Sequence, residues 1–178
     1  VSLHVKGDLS IITPNPVLDA LLTHFMLVYG NAVFVGAVIE DPQPVSINLL
    51  YSTFHGKKAL TNAGRAYRDA LASAVARSTH DWKTAHRLVY QEGGGATLLL
   101  ALYFEQMKNK SWKPNGKTEK GEPTQPHKKQ DSSNYIKIAE DAVARGCGID
   151  DCNNINHLIH KGEDPKRPRT ELIYIVHP

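Results

Sequence analysis

Between positions 131 and 151 the chain concentrates residues suited to metal-assisted chemistry on a phosphodiester. Asp131-Ser132-Ser133-Asn134-Tyr135-Ile136-Lys137 is followed by Asp141 and then by the pair Asp150-Asp151. A hard cation such as Mg²⁺ takes oxygen ligands and keeps several waters, so two or three convergent carboxylates can hold it. Such an ion activates water and stabilises charge on a scissile phosphate. Lys137 adds a cation for the phosphate or the leaving oxygen. The same residues also have a plain structural use. Asp131, Ser132 and Ser133 are good helix N-caps, an Asp near a helix start suits the macrodipole, and Asp150-Asp151 suits a turn.

These side chains meet only if the elements around them allow it. A helix is expected from about Ser133 to Arg145, with Ile136, Ala139, Ala142 and Val143 as its apolar face and Gly146 and Gly148 ending it. Lys137 and Asp141, four apart, then share another face. Asp151 reaches them only if the following strand folds back beside the helix. Strands are expected at Val33 to Ile39, Ala96 to Glu105, Ile155 to Ile159 and Glu171 to Val176, with a basic loop over 161–169. The run 96–105 is apolar nearly throughout, which points to a central strand covered on both faces. Thr61 and Asn62 cap a helix running to about Ser78, with Tyr67, Leu71, Ala74 and Val75 inward. The stretch 42–60 reads as irregular, and Asp81 to Glu92 as ambiguous, with a helical insertion as one reading. Gly93-Gly94-Gly95 lacks a following Lys-Ser/Thr, so it reads as a turn before a strand and not as a phosphate loop. Together these elements predict an α+β fold, a single domain with a mixed β-sheet packed against helices.

Length and charge set the outer bounds. The 178 residues fit one domain, spanning about 33–178, and 41% hydrophobic content suffices for a core. Residues 1–32 read as an extension with a short amphipathic helix: Val17, Leu18, Leu21, Leu22, Phe25, Met26 and Tyr29 make one stripe, ended by Gly30. Its expected use is packing on the main domain or on a second subunit. The net charge of +3 is uneven. Lys108, Lys110, Lys113, Lys117, Lys120, Lys128 and Lys129 face only Glu119 and Glu122 in a flexible basic loop over 108–130. Lys161, Lys166, Arg167 and Arg169 form a second basic group. Basic clusters flanking an acidic one suit a polyanion delivered to a metal site, although solvated loops have the same composition.

Cys147 and Cys152 form no disulfide framework, which favours a reducing compartment. With His157 and His160 they match no usual zinc spacing, and the two histidines fall on opposite faces of a strand. No apolar run is long enough to span a bilayer and no signal peptide is evident. The start at Val1 suggests a trimmed chain or a fragment.

The pattern Asp131-x-Ser133-Asn134-x-x-Lys137-x-x-x-Asp141-Ala142, then Asp150-Asp151, then Lys161, resembles the RusA family of Holliday junction resolvases. The segment with Ser46-Ile47-Asn48 is similar to the family's Pro-rich start, and Gly64-Arg65-Ala66-Tyr67-Arg68 to its Gly-x-x-Tyr-Arg helix. The resemblance covers about residues 33–178. It implies a Mg²⁺-dependent homodimeric endonuclease, with Mn²⁺ as a substitute ion, that cuts four-way DNA junctions by paired nicks. Asp131 and Asp151 would be metal ligands, Lys137 the catalytic lysine, and Asn134, Asp141 and Asp150 supporting residues. Lys108, Lys110, Lys113, Lys117, Lys128, Lys129, Lys161, Arg65 and Arg68 would contact branched DNA. The family occurs in bacteria and their phages, so the expected location is the cytoplasm of a bacterial or phage-infected cell.

The departure is Ser133, where the family places a second essential Asp. A neutral hydroxyl is a poor Mg²⁺ ligand, so weak or no nuclease activity is expected of this chain. The competing expectations are a non-catalytic, structure-selective branched-DNA-binding protein on the same fold, and a small interaction domain using residues 1–32.

Overall fold

The computed structural model describes residues 16–28, 32–44, 50–54, 57–78, 81–110, 112–119, 121–127 and 132–178. Asp131, Lys120, Lys128, Lys129 and residues 46–48 lie outside these, as do Tyr29 and Gly30.

The elements in chain order are α1 (Pro16–Val28), β1 (Val33–Ile39), β2 (Tyr51–Phe54), β3 (Lys57–Leu60), α2 (Asn62–Arg77), α3 (Trp82–Tyr90), β4 (Gly95–Phe104), α4 (Ser132–Cys147), β5 (Asn154–Glu163) and β6 (Arg169–His177). A short 3₁₀ turn, Asp151–Asn153, leads into β5. The main sheet has the order β1-β6-β4-β5. β6 runs antiparallel to β1 and β4, whereas β4 and β5 are parallel. The result is a single α+β domain with a mixed four-stranded sheet packed against helices, as the sequence predicts.

β4 lies inside the sheet because both of its faces are apolar. Leu98, Leu100 and Leu102 point to one side and join the core built with Leu71 and Val75 of α2, Leu88 of α3, and Ile138 and Ala142 of α4. Leu99 and Ala101 point to the other side and cluster with Phe34, Ile173, Ile175 and Phe25 of α1. The amphipathic N-terminal helix thus uses Phe25 to cover the second face of this same domain.

A parallel β4–β5 pair requires a crossover. α4 supplies it, and the chain after Cys147 therefore runs back alongside the helix. Phe104 at the end of β4 meets Tyr135 in the first turn of α4 edge-on, with ring centroids 6.0 Å apart.

Several boundaries differ from the expectation for physical reasons. α4 continues through Gly146 to Cys147. A Cβ at Gly146 would lie 2.7 Å from the carbonyl oxygen of Ala72, so glycine permits the close approach of α2 rather than ending the helix. Gly148, at φ +74°, follows the last helical residue. The supposedly irregular stretch contains the β2–β3 hairpin, pairing Tyr51 with Leu60 and Phe54 with Lys57. The ambiguous segment is α3, whose cap Asp81 accepts from the Thr84 N–H at 3.4 Å. The glycine run is a close-packed turn: a Cβ at Gly94 would fall 2.3 Å from the His177 carbonyl oxygen.

β5 and β6 are longer than expected and reduce the basic loop to a turn between Glu163 and Arg169. Part of that basic group is structural. Arg169 is 3% exposed and contacts Glu171 at 2.7 Å and Asp164 at 2.6 Å. Its guanidinium also sits 3.9 Å from the centre of the Tyr103 ring. Arg167 pairs with Glu40 at 2.5 Å. Among the described residues no helix is long and apolar enough to cross a membrane.

Candidate active site

Ser133, Lys137 and Asp141 occupy successive i, i+4 positions of α4 and so form one ridge on its surface. β5 folds back beside the helix, and the 3₁₀ turn at its start brings Asp151 to that ridge. Lys137 Nζ donates to Asp151 Oδ2 at 2.5 Å and lies 3.3 Å from Asp141 Oδ1. The three side chains are 52%, 38% and 34% exposed respectively, so the cluster faces solvent and a ligand could reach it.

The charges stabilise one another. The hydrogen bond from Lys137, then the neighbouring Asp150, hold the Asp151 carboxyl below its ordinary range. Asp151, and secondarily Asp141, push the Lys137 ammonium above its ordinary value. Tyr51 of β2 stands in the same field: burial raises its pKa first and the Asp141 charge second, against opposing effects of Lys137 and Arg68. Half-buried Tyr51 packs against the main core, the anchor role that aromatics usually take.

Asp150 has a different job from Asp151. Its carboxylate accepts from the Cys152 N–H at 3.2 Å and caps the 3₁₀ turn. Its own N–H donates to the Tyr90 hydroxyl at 3.0 Å, and that hydroxyl donates to the Gly148 carbonyl at 3.4 Å. His86 Nε2 lies 2.7 Å from the Cys147 carbonyl oxygen, which can only accept, so this nitrogen carries the proton. Two residues of α3 therefore grip the loop that presents Asp151. A polar group on the neighbouring side of α4 was also invisible in the sequence. Glu140 accepts from His157 Nε2 at 2.9 Å and from Asn154 Nδ2 at 3.4 Å, and Tyr174 donates to Asn154 Oδ1 at 2.9 Å. The contacts of Tyr90, His86, Glu140 and Tyr174 join residues 14 to 61 positions apart. No local motif signals them.

The remaining expected contacts divide. Arg68 is near Tyr51 and pairs with Asp69 at 3.0 Å. Arg65 instead ties the start of α2, donating to the Leu60 carbonyl at 2.7 Å and to Asn62 Oδ1 at 2.5 Å. Lys161 is inside β5 opposite Leu102, seven residues beyond Asn154, and so lies away from Asp151 toward the start of α4. Asn134, half-buried, occupies the first turn of α4. Lys108, Lys110, Lys113 and Lys117 lie in a segment with local order that composition does not predict. Bridges Lys108–His127 and Lys117–Pro123 and the Thr124 N–H to Gly116 carbonyl bond cross it.

Asp141 and Asp151 are hard oxygen donors, and Mg²⁺ is commonly held by one or two carboxylates with water and substrate phosphate completing its shell. The donor chemistry fits that ion. Among the described residues, however, no three His, Cys, Asp or Glu side chains gather as a ligand group. Asp131 lies outside those residues, and Ser133 on the ridge contributes no charge. His157 and His160 are on opposite faces of β5, the first on Glu140 and the second near Tyr103 at 5.9 Å, which removes any joint zinc site. No protein-family model matches the chain, and no curated protein matches it.

Proposed function

We propose that this chain is a RusA-like structure-selective endonuclease, in which Mg²⁺ or Mn²⁺ assists paired, symmetric nicking of four-way DNA junctions by a homodimer, and that Ser133 impairs it. The observation that carries this reading is the meeting of Asp151 and Asp141 at Lys137 on the ridge that also carries Ser133. The ion would be held by Asp131 and Asp151 and would supply water activation and charge neutralisation at the phosphate. Lys137, clamped between Asp151 and Asp141, would meet a phosphate oxygen at that ion. Asp141 and Asp150 hold Lys137 and the acidic turn in position, and Asn134 would be a further supporting residue. Two copies related by a two-fold axis suit a junction because the two cuts must fall on opposed strands. Junction selectivity would come from shape and spacing, not from a base-reading motif.

A second reading has its own support. Ser133, a neutral hydroxyl on the ridge where a carboxylate would serve the ion, favours a branched-DNA-binding protein that cuts poorly or not at all.

The test is substrate selectivity of Ser133→Asp with Mg²⁺ and Mn²⁺. Symmetric nicks in a four-way junction, with a duplex of the same sequence left intact, are expected. Equal nicking of both substrates refutes junction selectivity. Junction binding without cutting by the variant leaves the binding-protein reading in place of the enzyme.

A further inference from the structure

α3, whose His86 and Tyr90 grip the loop that presents Asp151, also presents a surface to solvent beside that loop. Ala85, Leu88 and Val89 are buried, which fixes the helix's inner side. Trp82, His86 and Tyr90 recur every four residues, with Tyr90 exposed, His86 half-buried and Trp82 half-buried against the main core, and Lys83 and Arg87 recur one position along on the exposed side. Residues four apart on a helix are neighbours, so these make an aromatic ridge beside a basic ridge. Both line an open cleft of about 580 Å³. The His86 and Tyr90 rings lie 5.6 Å apart, and Tyr90 is 53% exposed. Arg87 pairs with Glu92, but a solvent-exposed ion pair is weak and exchanges readily for a phosphate. The aromatic ridge ends at the acidic turn, through the bond between Tyr90 and the Asp150 N–H.

Stacking faces alongside cations fit one class of ligand, a single nucleic-acid strand, whose bases stack on aromatic rings while its phosphates meet Lys and Arg. We propose that the outer face of α3 is a track for an unpaired strand that leads to the Asp150-Asp151 turn. His86 and Tyr90 contact bases, Lys83 and Arg87 contact phosphates, and Trp82 lines the same cleft, where its emission reports on occupancy. This rests on the reading of the protein as one that acts on DNA, and it adds a binding subsite and its strand class.

Trp112→Phe leaves Trp82 as the sole tryptophan of the two in the chain, and a short oligothymidylate is the probe. Quenching of Trp82 emission on saturation is expected. Replacing Lys83 and Arg87 together by Ala should weaken oligothymidylate binding on the order of tenfold. It should also reduce the log–log salt slope by about 1.4, at about 0.7 per phosphate on a single strand. Tyr90→Ala should weaken binding on the order of tenfold, while Tyr90→Phe, which keeps the ring and loses the bond to Asp150, should retain it. Each variant is compared at a matched thermal melt, so loss of fold is seen separately. Unchanged Trp82 emission at saturation, or affinity and salt slope unchanged without Lys83 and Arg87, overturns the track. If the same protein still binds four-way junctions, only the track fails. Failure of the unsubstituted chain to bind either DNA overturns both.

Discussion

A carboxylate 2.5 Å from a lysine ammonium stays ionised to lower pH than one alone, and Asp151 is in that position. Its folded pKa lies below the ordinary 3.8, so the pair's contribution is present above 3.8 and is lost as pH falls through the depressed value. Lys137 is shifted the other way, so its contribution is present below 10.5 and is lost only as pH rises past its raised value. The pair therefore persists across neutral pH. With both groups substantially exposed it adds less than about 1 kcal/mol to folding, and its importance is to position charge. Lys137→Met should move the Asp151 titration, followed by carboxyl ¹³C shifts, upward toward 3.8 with little change in melting temperature. A titration indifferent to Lys137 would mean that the two do not interact in solution. At this scale the sequence was informative for Lys137 and Asp141, because helical spacing alone aligns them. It was uninformative for Tyr90, His86 and Glu140, whose partners come from elements far along the chain.

Helix boundaries show where local rules hold and where packing overrides them. Thr61 caps α2 as its residue type predicts, accepting from the Gly64 N–H at 3.0 Å. Thr61→Ala should destabilise the protein by about 1 kcal/mol in a denaturant titration, and an unchanged midpoint would show that the cap is dispensable. Gly146 obeys a different rule. In an exposed helix interior, Gly→Ala stabilises by roughly 0.5–1 kcal/mol. Here the added Cβ would meet the Ala72 carbonyl oxygen at 2.7 Å, so the clash wins and about 1–3 kcal/mol of stability should be lost. A stabilised Gly146→Ala variant would contradict the close α2–α4 contact. The same contact explains why a helix stop at Gly146 was misleading: the sequence shows a glycine but not the neighbour that requires it. The β2–β3 hairpin was illegible for another reason. Its strands are four residues each, too short for alternation to stand out.

Across the whole molecule, the apolar run of β4 foretold a buried central strand, and the α+β class followed from the order of the elements. The return of β5 beside α4, which decides whether the carboxylates meet, was open in the sequence because it depends on a parallel pairing across the sheet. The basic segment also acts at this scale. If Lys113 and Lys117 each neutralise a phosphate of a duplex arm, replacing both by Ala should lower the log–log salt slope of junction binding by about 1.8 and weaken all sequences alike. An unchanged slope would remove that segment from the interface. The most direct measurement compares single-turnover nicking of a synthetic four-way junction in Mg²⁺ by this chain and by Ser133→Asp, with Lys137→Ala in the Ser133→Asp background as the inactive reference. The added carboxylate should raise the rate on the order of a hundredfold, and loss of Lys137 should abolish the gain. Equal rates for the chain and its Ser133→Asp variant would contradict a site disabled at Ser133.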